Sequence, residues 1–242
     1  MALLRPGLAA RRAAPAEHRC PDTSWSHHPL GWLPLTLSDV EGRPDLPSYS
    51  IRGSSHSMPF GPSEERELAV LAGARVPSAE ETTTEAMAMA RANWAEESNG
   101  RIEARVFDLA EPQDAASVPT ALLTLGLECL HGVGKKATLS VAVRPPAPAW
   151  RVLSAAASTG GAYNSVSHGA YGRLAARQSL AALAGCPEGA TAGEVEARVG
   201  DCIWHGFDAD TKWYGQVAWD IGLAALAPDR RRPAVLAATD TD

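Results

Sequence analysis

The chain has 242 residues, a net charge of −6 at pH 7 and 45% hydrophobic residues, which suits one globular domain with or without a tail. The acidic balance argues against a general nucleic-acid binder, which needs a basic face to displace counterions. No apolar run approaches the roughly 18 residues that a membrane-spanning helix requires, so no membrane association is expected. The cysteines, Cys20, Cys129, Cys186 and Cys202, lack CxxC spacing, so the sequence predicts free thiols in a reducing cytoplasm.

Residues 1–62 are predicted to form a largely irregular N-terminal extension. Arg11 and Arg12 invite an export-signal interpretation, but no apolar segment follows them. Pro, Ser and Gly are frequent from residue 21 to residue 62, and no hydrophobic period is sustained there. We therefore place the folded domain at residues 63–242.

Two helices are predicted between residues 63 and 100. The first begins at Ser63, and the second opens with the capping box Ser78-x-x-Glu81. Apolar side chains at helical spacing predict core positions at Met87, Ala90 and Trp94. The pair at residues 99–100, Asn-Gly, is typical of a helix end.

The middle of the chain alternates between strand and helix patterns. We predict strands over residues 101–109 and 137–143, a helix over 119–131 and a short helix over 150–157. The glycine-rich run that ends at Lys136 is not a phosphate-binding Walker loop, because Cys129 stands where its first glycine belongs.

The last fifty residues predict a capped helix followed by strands. Thr191-x-x-Glu194 is a capping box, and residues 201–209 have a strand pattern. A turn at Pro228 separates residues 216–226 from residues 234–239, which predicts a C-terminal β-hairpin, although residues 217–224 also suit a helix. The predicted fold is a single α+β domain with a mixed or antiparallel sheet and helices on one face.

The most unusual stretch is a glycine- and tyrosine-rich loop that leads into a helix predicted from about Arg173 to Ala184. Free N–H groups at a helix start, together with a nearby arginine, suit an anion. The candidate ligand-binding residues are Gly160, Gly161, Tyr163, His168, Tyr171 and Arg173. His168 is the candidate acid or base, because histidine titrates near neutral pH. The alternative is a structural turn whose tyrosines pack on the core.

Paired aspartates near two strand ends raise a metal hypothesis. Asp208 and Asp210 follow one predicted strand, and Asp240 follows the last. Carboxylates two residues apart can converge where the chain turns, and hard cations prefer oxygen ligands. The alternative is that these carboxylates are solvated strand ends.

The C-terminal part of the chain contains four distinctive motifs: GGAY at 160–163, GAYGRLA at 169–175, VAWDIGLAAL at 217–226 and VLAATDTD at 235–242. With these motifs, residues 150–242 resemble a family of uncharacterised bacterial proteins from high-GC genomes. It implies a real domain and carries no activity with it.

Two functional hypotheses follow from these observations. The first is a non-catalytic cytoplasmic binding or regulatory protein, whose partner is a protein or a small anion. The alternative is a metal-dependent hydrolase or transferase that acts on a phosphorylated or other anionic ligand, with His168 as acid or base. The sequence does not identify a cofactor.

Overall fold

The computed structural model describes residues 28–51, 53–55, 81–97, 99–133, 138–161, 166–216 and 219–240. Its strands are β1 (Ser48–Ser50), β2 (Gly53–Ser55), β3 (Arg101–Val106), β4 (Leu139–Arg144), β5 (Ile203–Ala209), β6 (Ile221–Leu226) and β7 (Pro233–Thr239). Its α-helices are α1 (Glu81–Ala88), α2 (Ala92–Glu97), α3 (Val118–Thr124), α4 (Pro146–Thr159), α5 (His168–Leu183) and α6 (Ala192–Asp201). The predictions at Ser63, Ser78, Lys136 and Tyr163 lie outside the described residues.

An antiparallel sheet of order β3-β7-β6-β5-β4 forms the centre of the domain, and β1 pairs with β2 in a separate small hairpin. The C-terminal hairpin is confirmed, with Ile221 opposite Ala238 and Leu226 opposite Pro233. Every residue of β6 and β7 is buried, because both faces of the sheet are covered. The helical alternative for residues 217–224 is therefore wrong for the residues from Ile221 onwards.

One face of the sheet packs against α1, α4 and α5. Their buried side chains form one core with alternate residues of β6 and β7, and this core includes the predicted positions Met87, Ala90 and Trp94. The helix α4 begins at Pro146, earlier than predicted, because proline fits the first helical position, where its missing N–H is not needed. Likewise α5 begins at His168 and not at Arg173, so the predicted ligand loop is partly helix.

The opposite face of the sheet is covered by residues 107–130. Val118 and Leu122 of α3 pack with Val235 and Ala237 of β7, so helices lie on both faces and the prediction of one face is wrong. The helix predicted over residues 119–131 ends at Thr124, and Gly126 follows with a φ of +68°.

Residues 29–51 and 53–55 contain little regular structure, but they pack against the helices. A 3-10 turn at Pro29–Trp32 starts it, and the Trp32 indole N–H donates to the Ala190 carbonyl at 2.9 Å. Val40 and Glu41 are buried. The boundary at residue 62 stays a prediction. Within the described residues, every helix is too short or too polar to cross a bilayer.

Candidate functional site

The predicted ligand loop joins the end of α4 to the start of α5. Gly160 ends α4 with a φ of +73°, and its N–H donates to the Ala156 carbonyl at 3.0 Å. On the far side of the loop, the Ser167 N–H donates to the Ala157 carbonyl at 3.0 Å. Both ends of the loop are thus fixed to the last turns of α4. Gly161 is half-buried beside them.

The two helices approach closely beside this loop. A Cβ atom added at Gly172 would lie 2.4 Å from the Ser158 Oγ atom, so only glycine fits there. The hairpin β1–β2 caps the end of α4: the Tyr49 hydroxyl donates to the Ser158 carbonyl at 3.1 Å, and the Ser54 hydroxyl donates to the Thr159 carbonyl at 3.1 Å. These bonds satisfy carbonyls that a helix end leaves without a partner.

His168, the candidate acid or base, is the first residue of α5 and is exposed, with a φ of +59°. Its imidazole ring stacks on the Tyr49 ring with centroids 5.1 Å apart and an angle of 20° between the planes. Its Nδ1 atom lies 3.1 Å from the Val166 carbonyl oxygen. In the described part of the chain, its polar partner is therefore a carbonyl, whereas a paired acid–base histidine is oriented by a carboxylate or a nucleophile.

Arg173 uses most of its hydrogen-bonding capacity on the N-terminal segment. Its Nε and Nη2 atoms donate to the two Glu41 carboxylate oxygens at 2.6 and 2.8 Å. Nη1 donates to the Pro34 carbonyl at 2.8 Å, and Nη2 donates also to the Thr36 carbonyl at 2.9 Å. A guanidinium group has five N–H donors, and these four bonds leave one for a ligand.

Glu41 is shared by a second arginine, one turn further along α5. The Arg177 Nη1 atom lies 3.4 Å from the second Glu41 oxygen, and Nη2 lies 3.1 Å from a Glu196 oxygen. Burial opposes ionisation of Glu41, but the hydrogen bonds from Arg173 and the Ser38 N–H and the two positive charges lower the pKa of its carboxyl. We call Glu41, Arg173 and Arg177 the arginine clamp.

Exposed aromatic and apolar side chains lie on the start of α5 and on residues 35–51, a segment that contacts α5 through Tyr49 and through the Pro34 and Thr36 carbonyls. Tyr171 is half exposed, and its ring centroid lies 6.5 Å from that of His28. The neighbouring segment, held through Pro34 and Thr36, exposes further apolar side chains. We define the α5-end surface by its exposed residues, which are Leu35, Leu37, Leu46, Tyr49, Ile51, His168 and Tyr171.

The candidate metal-binding aspartates lie at one end of the sheet. Asp208 and Asp210 are exposed, whereas Asp240 is fully buried. Although Asp208 is exposed, partial desolvation by the surrounding protein and the negative charges of Asp220 and Asp210 raise the pKa of its carboxyl. Within the described ranges, no three histidine, cysteine, aspartate or glutamate side chains lie close enough together to hold a metal ion. The metal role of these residues stays a prediction.

Sequence reasoning missed Glu41 and Asp220. Glu41 lies 132 residues before Arg173 in a segment without hydrophobic period, so no local signal marks it. Asp220 accepts hydrogen bonds from the Thr239 hydroxyl and the Gly215 N–H, which fixes the loop before β6 to the end of β7. The available signal was the position of Asp220 directly before the apolar strand β6.

The sheet covered on both faces, the close pair of α4 and α5 and the arginine clamp define a single-domain α+β protein. Residues 4–242 match a family of unknown function, DUF6183, and the chain belongs to that family. The match extends well beyond residues 150–242, where the resemblance in the sequence was placed. Comparison with curated proteins and with solved structures gives no match.

Proposed function

We propose that this protein is a non-catalytic binding or regulatory protein of the bacterial cytoplasm, and that it binds another protein through the α5-end surface. The observation that carries the proposal is the concentration of exposed apolar side chains there. In the described ranges, six of the eight exposed large hydrophobic residues belong to this surface; the other two are Met89 and Val143.

The degree of exposure separates these residues from ordinary surface positions. Leu35 is 73% exposed, Leu46 is 81% exposed and Ile51 is fully exposed. Single exposed apolar residues are normal, whereas a group of them is typical of an interaction site, and five of these six come from residues 35–51. Tyr49 and Tyr171 add aromatic rings with a polar end, a residue type that is enriched at protein interfaces.

Two parts of the surface, near Leu35 and at Tyr49, are held in place before any partner arrives. The arginine clamp fixes the backbone at Pro34 and Thr36, and Tyr49 is held by its bond to the Ser158 carbonyl and by the His168 ring. A preorganised surface loses less conformational entropy on binding, so more of the contact energy appears as affinity. A complementary partner presents apolar side chains to this surface.

The free state of the described cysteines supports the proposal that the protein works in a reducing compartment. Cys129, Cys186 and Cys202 are free thiols. Burial raises the pKa of the Cys202 thiol to about 12, which keeps it protonated and unreactive at neutral pH. Free thiols are the state that the cytoplasm maintains.

Site-specific photo-crosslinking in cells of the source organism tests the proposal. A photoreactive side chain is placed at Leu46 or Ile51, and the control position is Val143, which is 62% exposed on β4. We expect a discrete protein adduct from Leu46 and Ile51 but not from Val143. Tyr171→Ser should weaken the adduct and leave the melting temperature unchanged. Equal labelling at all three positions, or no adduct at the surface positions, contradicts the proposal.

A further inference from the structure

His168 belongs to the α5-end surface, and its backbone conformation is unusual. As the first residue of α5 it has a φ of +59°, in the left-handed region that is unfavourable for a residue with a Cβ atom. Glycine or asparagine would adopt this conformation at lower cost. A residue held in an unfavourable conformation is a reason to look for a role of its side chain.

The neighbours of His168 fix the tautomer of its neutral ring. The Nδ1 atom lies 3.1 Å from the Val166 carbonyl oxygen. Because a carbonyl oxygen only accepts, the proton of the neutral imidazole is on Nδ1, and Nε2 carries a lone pair that can accept. Among the described residues, no hydrogen bond involves Nε2, and the side chain is exposed.

The imidazole ring of His168 is also restrained in its orientation. It stacks on the Tyr49 ring with centroids 5.1 Å apart and an angle of 20° between the planes. Tyr49 is itself held by the bond from its hydroxyl to the Ser158 carbonyl at 3.1 Å. The Nε2 lone pair therefore has a defined direction, and a hydrogen bond to it requires a donor at a particular distance and angle.

A partner that covers the α5-end surface has to satisfy this lone pair. In the free protein the side chain of His168 is exposed, so water can donate to Nε2. Burial under purely apolar groups would remove that water and leave an acceptor without a donor, which is unfavourable. An N–H or O–H group of the partner avoids this loss, whereas a carboxylate or a carbonyl oxygen, which only accepts, does not.

We infer that His168 is a specificity-determining residue of the α5-end surface, and that the protein partner places an N–H or O–H donor against its Nε2 atom. The apolar side chains of the surface supply contact area, and His168 selects a partner whose apolar segment carries a donor at one position. The inference rests on the proposed function, because it describes a contact made by the same surface.

Nitrogen-15 NMR of the full chain, at about pH 8 where a histidine ring is largely neutral, tests the tautomer without a partner. The imidazole signals of His168 are assigned by their loss in the His168→Phe variant. We expect a protonated Nδ1 atom and an unprotonated Nε2 atom. A ring with its proton on Nε2 overturns the inference, because that nitrogen would then donate.

Photo-crosslinking from Leu46 tests the contact with the partner. His168→Phe keeps an aromatic ring beside Tyr49 and removes both ring nitrogens. The yield of adduct should fall roughly 2- to 10-fold, as the loss of one hydrogen bond predicts. His131→Phe, which changes an exposed histidine elsewhere, should give the wild-type yield. An undiminished yield from His168→Phe overturns this inference and leaves the proposed function standing, whereas a wild-type chain that gives no adduct overturns both.

His168→Asn is the second variant, for the case in which His168→Phe melts at a lower temperature than the wild type. Asparagine adopts the left-handed conformation more readily than other residues with a Cβ atom, so the start of α5 should be retained. Its shorter side chain cannot place an acceptor where Nε2 lies, so the yield of adduct from Leu46 should fall as in His168→Phe. A full yield from His168→Asn overturns the inference.

Discussion

Replacing Glu41 with glutamine removes the negative charge at the centre of the arginine clamp while keeping its shape. The Glu41 side chain is fully buried, and it accepts from Arg173 at 2.6 and 2.8 Å and from the Ser38 N–H at 2.9 Å. A glutamine amide has one acceptor oxygen, so its NH₂ group must face a donor of Arg173. Both guanidinium groups then lose their shared carboxylate.

The size of the effect depends on the hydrogen-bond partners that each arginine retains in the variant. Breaking a buried ion pair from one side costs about 3–5 kcal/mol, because a charge is left uncompensated. Arg173 keeps the Pro34 and Thr36 carbonyls, and Arg177 keeps Glu196. We therefore expect the lower end, about 3 kcal/mol in the free energy of unfolding. In a chain of this size that lowers the melting temperature by roughly 6–12 °C.

Urea denaturation measures the free energy of unfolding, and amide hydrogen exchange shows which residues lose protection. We expect faster exchange in residues 30–42 of the Glu41→Gln variant. The matched control is Glu196→Gln, which removes the partly exposed partner of Arg177 and should cost about 1 kcal/mol or less. A Glu41→Gln variant within about 0.5 kcal/mol of the wild type, or no more affected than Glu196→Gln, would refute the reasoning.

Two further predictions concern the core. The His205 Nε2 atom lies 3.1 Å from the Ala115 carbonyl oxygen, and among the described residues the buried Nδ1 atom has no hydrogen-bond partner. Burial lowers the pKa of this imidazole. The unfolded chain therefore binds the proton more tightly than the folded chain, so stability is lost as pH falls from about 6.5 through the folded pKa. The melting temperature of the wild type should fall more steeply between pH 7 and pH 5 than that of His205→Gln. Parallel melting curves against pH would contradict this. Gly172→Ala should cost about 1–3 kcal/mol, because its Cβ would overlap Ser158, whereas Gly169→Ala meets open space and should be neutral or slightly stabilising. Equal unfolding free energies for the two alanine variants would show that α4 and α5 can separate.

Local patterns predicted the elements that depend on local physics. Helical spacing identified Met87, Ala90 and Trp94 as core, and the turn at Pro228 identified the C-terminal hairpin. The capping box at Thr191 is present, with the Thr191 hydroxyl accepting from the Glu194 N–H. Each of these features is decided within a few residues of the chain.

The covering of the sheet on both faces has a signal in the sequence of its two central strands. The strands β6 and β7 read as continuous apolar runs, IGLAAL and PAVLAAT, and not as alternating ones. Continuous apolar strands are typical of a sheet buried on both faces. That pattern predicts a second covering layer, which residues 107–130 supply.

The arginine clamp could not be predicted from the sequence, for a different reason. Arg173 and Arg177 lie one turn apart and read equally well as an anion site or as structural anchors. The choice depends on Glu41, which lies more than 130 residues away in sequence from both. The sequence pattern of a segment rich in Pro, Ser and Gly does not determine where one of its carboxylates lies in the fold.

The clamp holds the backbone on both sides of Leu35, one residue of the proposed protein-binding surface, which gives a way to separate structural from direct effects on binding. Leu35 lies between Pro34 and Thr36, whose carbonyls Arg173 holds, so loosening the clamp should displace its side chain. Glu41→Gln should therefore reduce both stability and crosslinking, whereas Tyr171→Ser should reduce crosslinking alone. If Glu41→Gln destabilises the chain yet crosslinks from Leu46 at the wild-type level, the surface does not depend on the clamp, and preorganisation is not the source of its affinity.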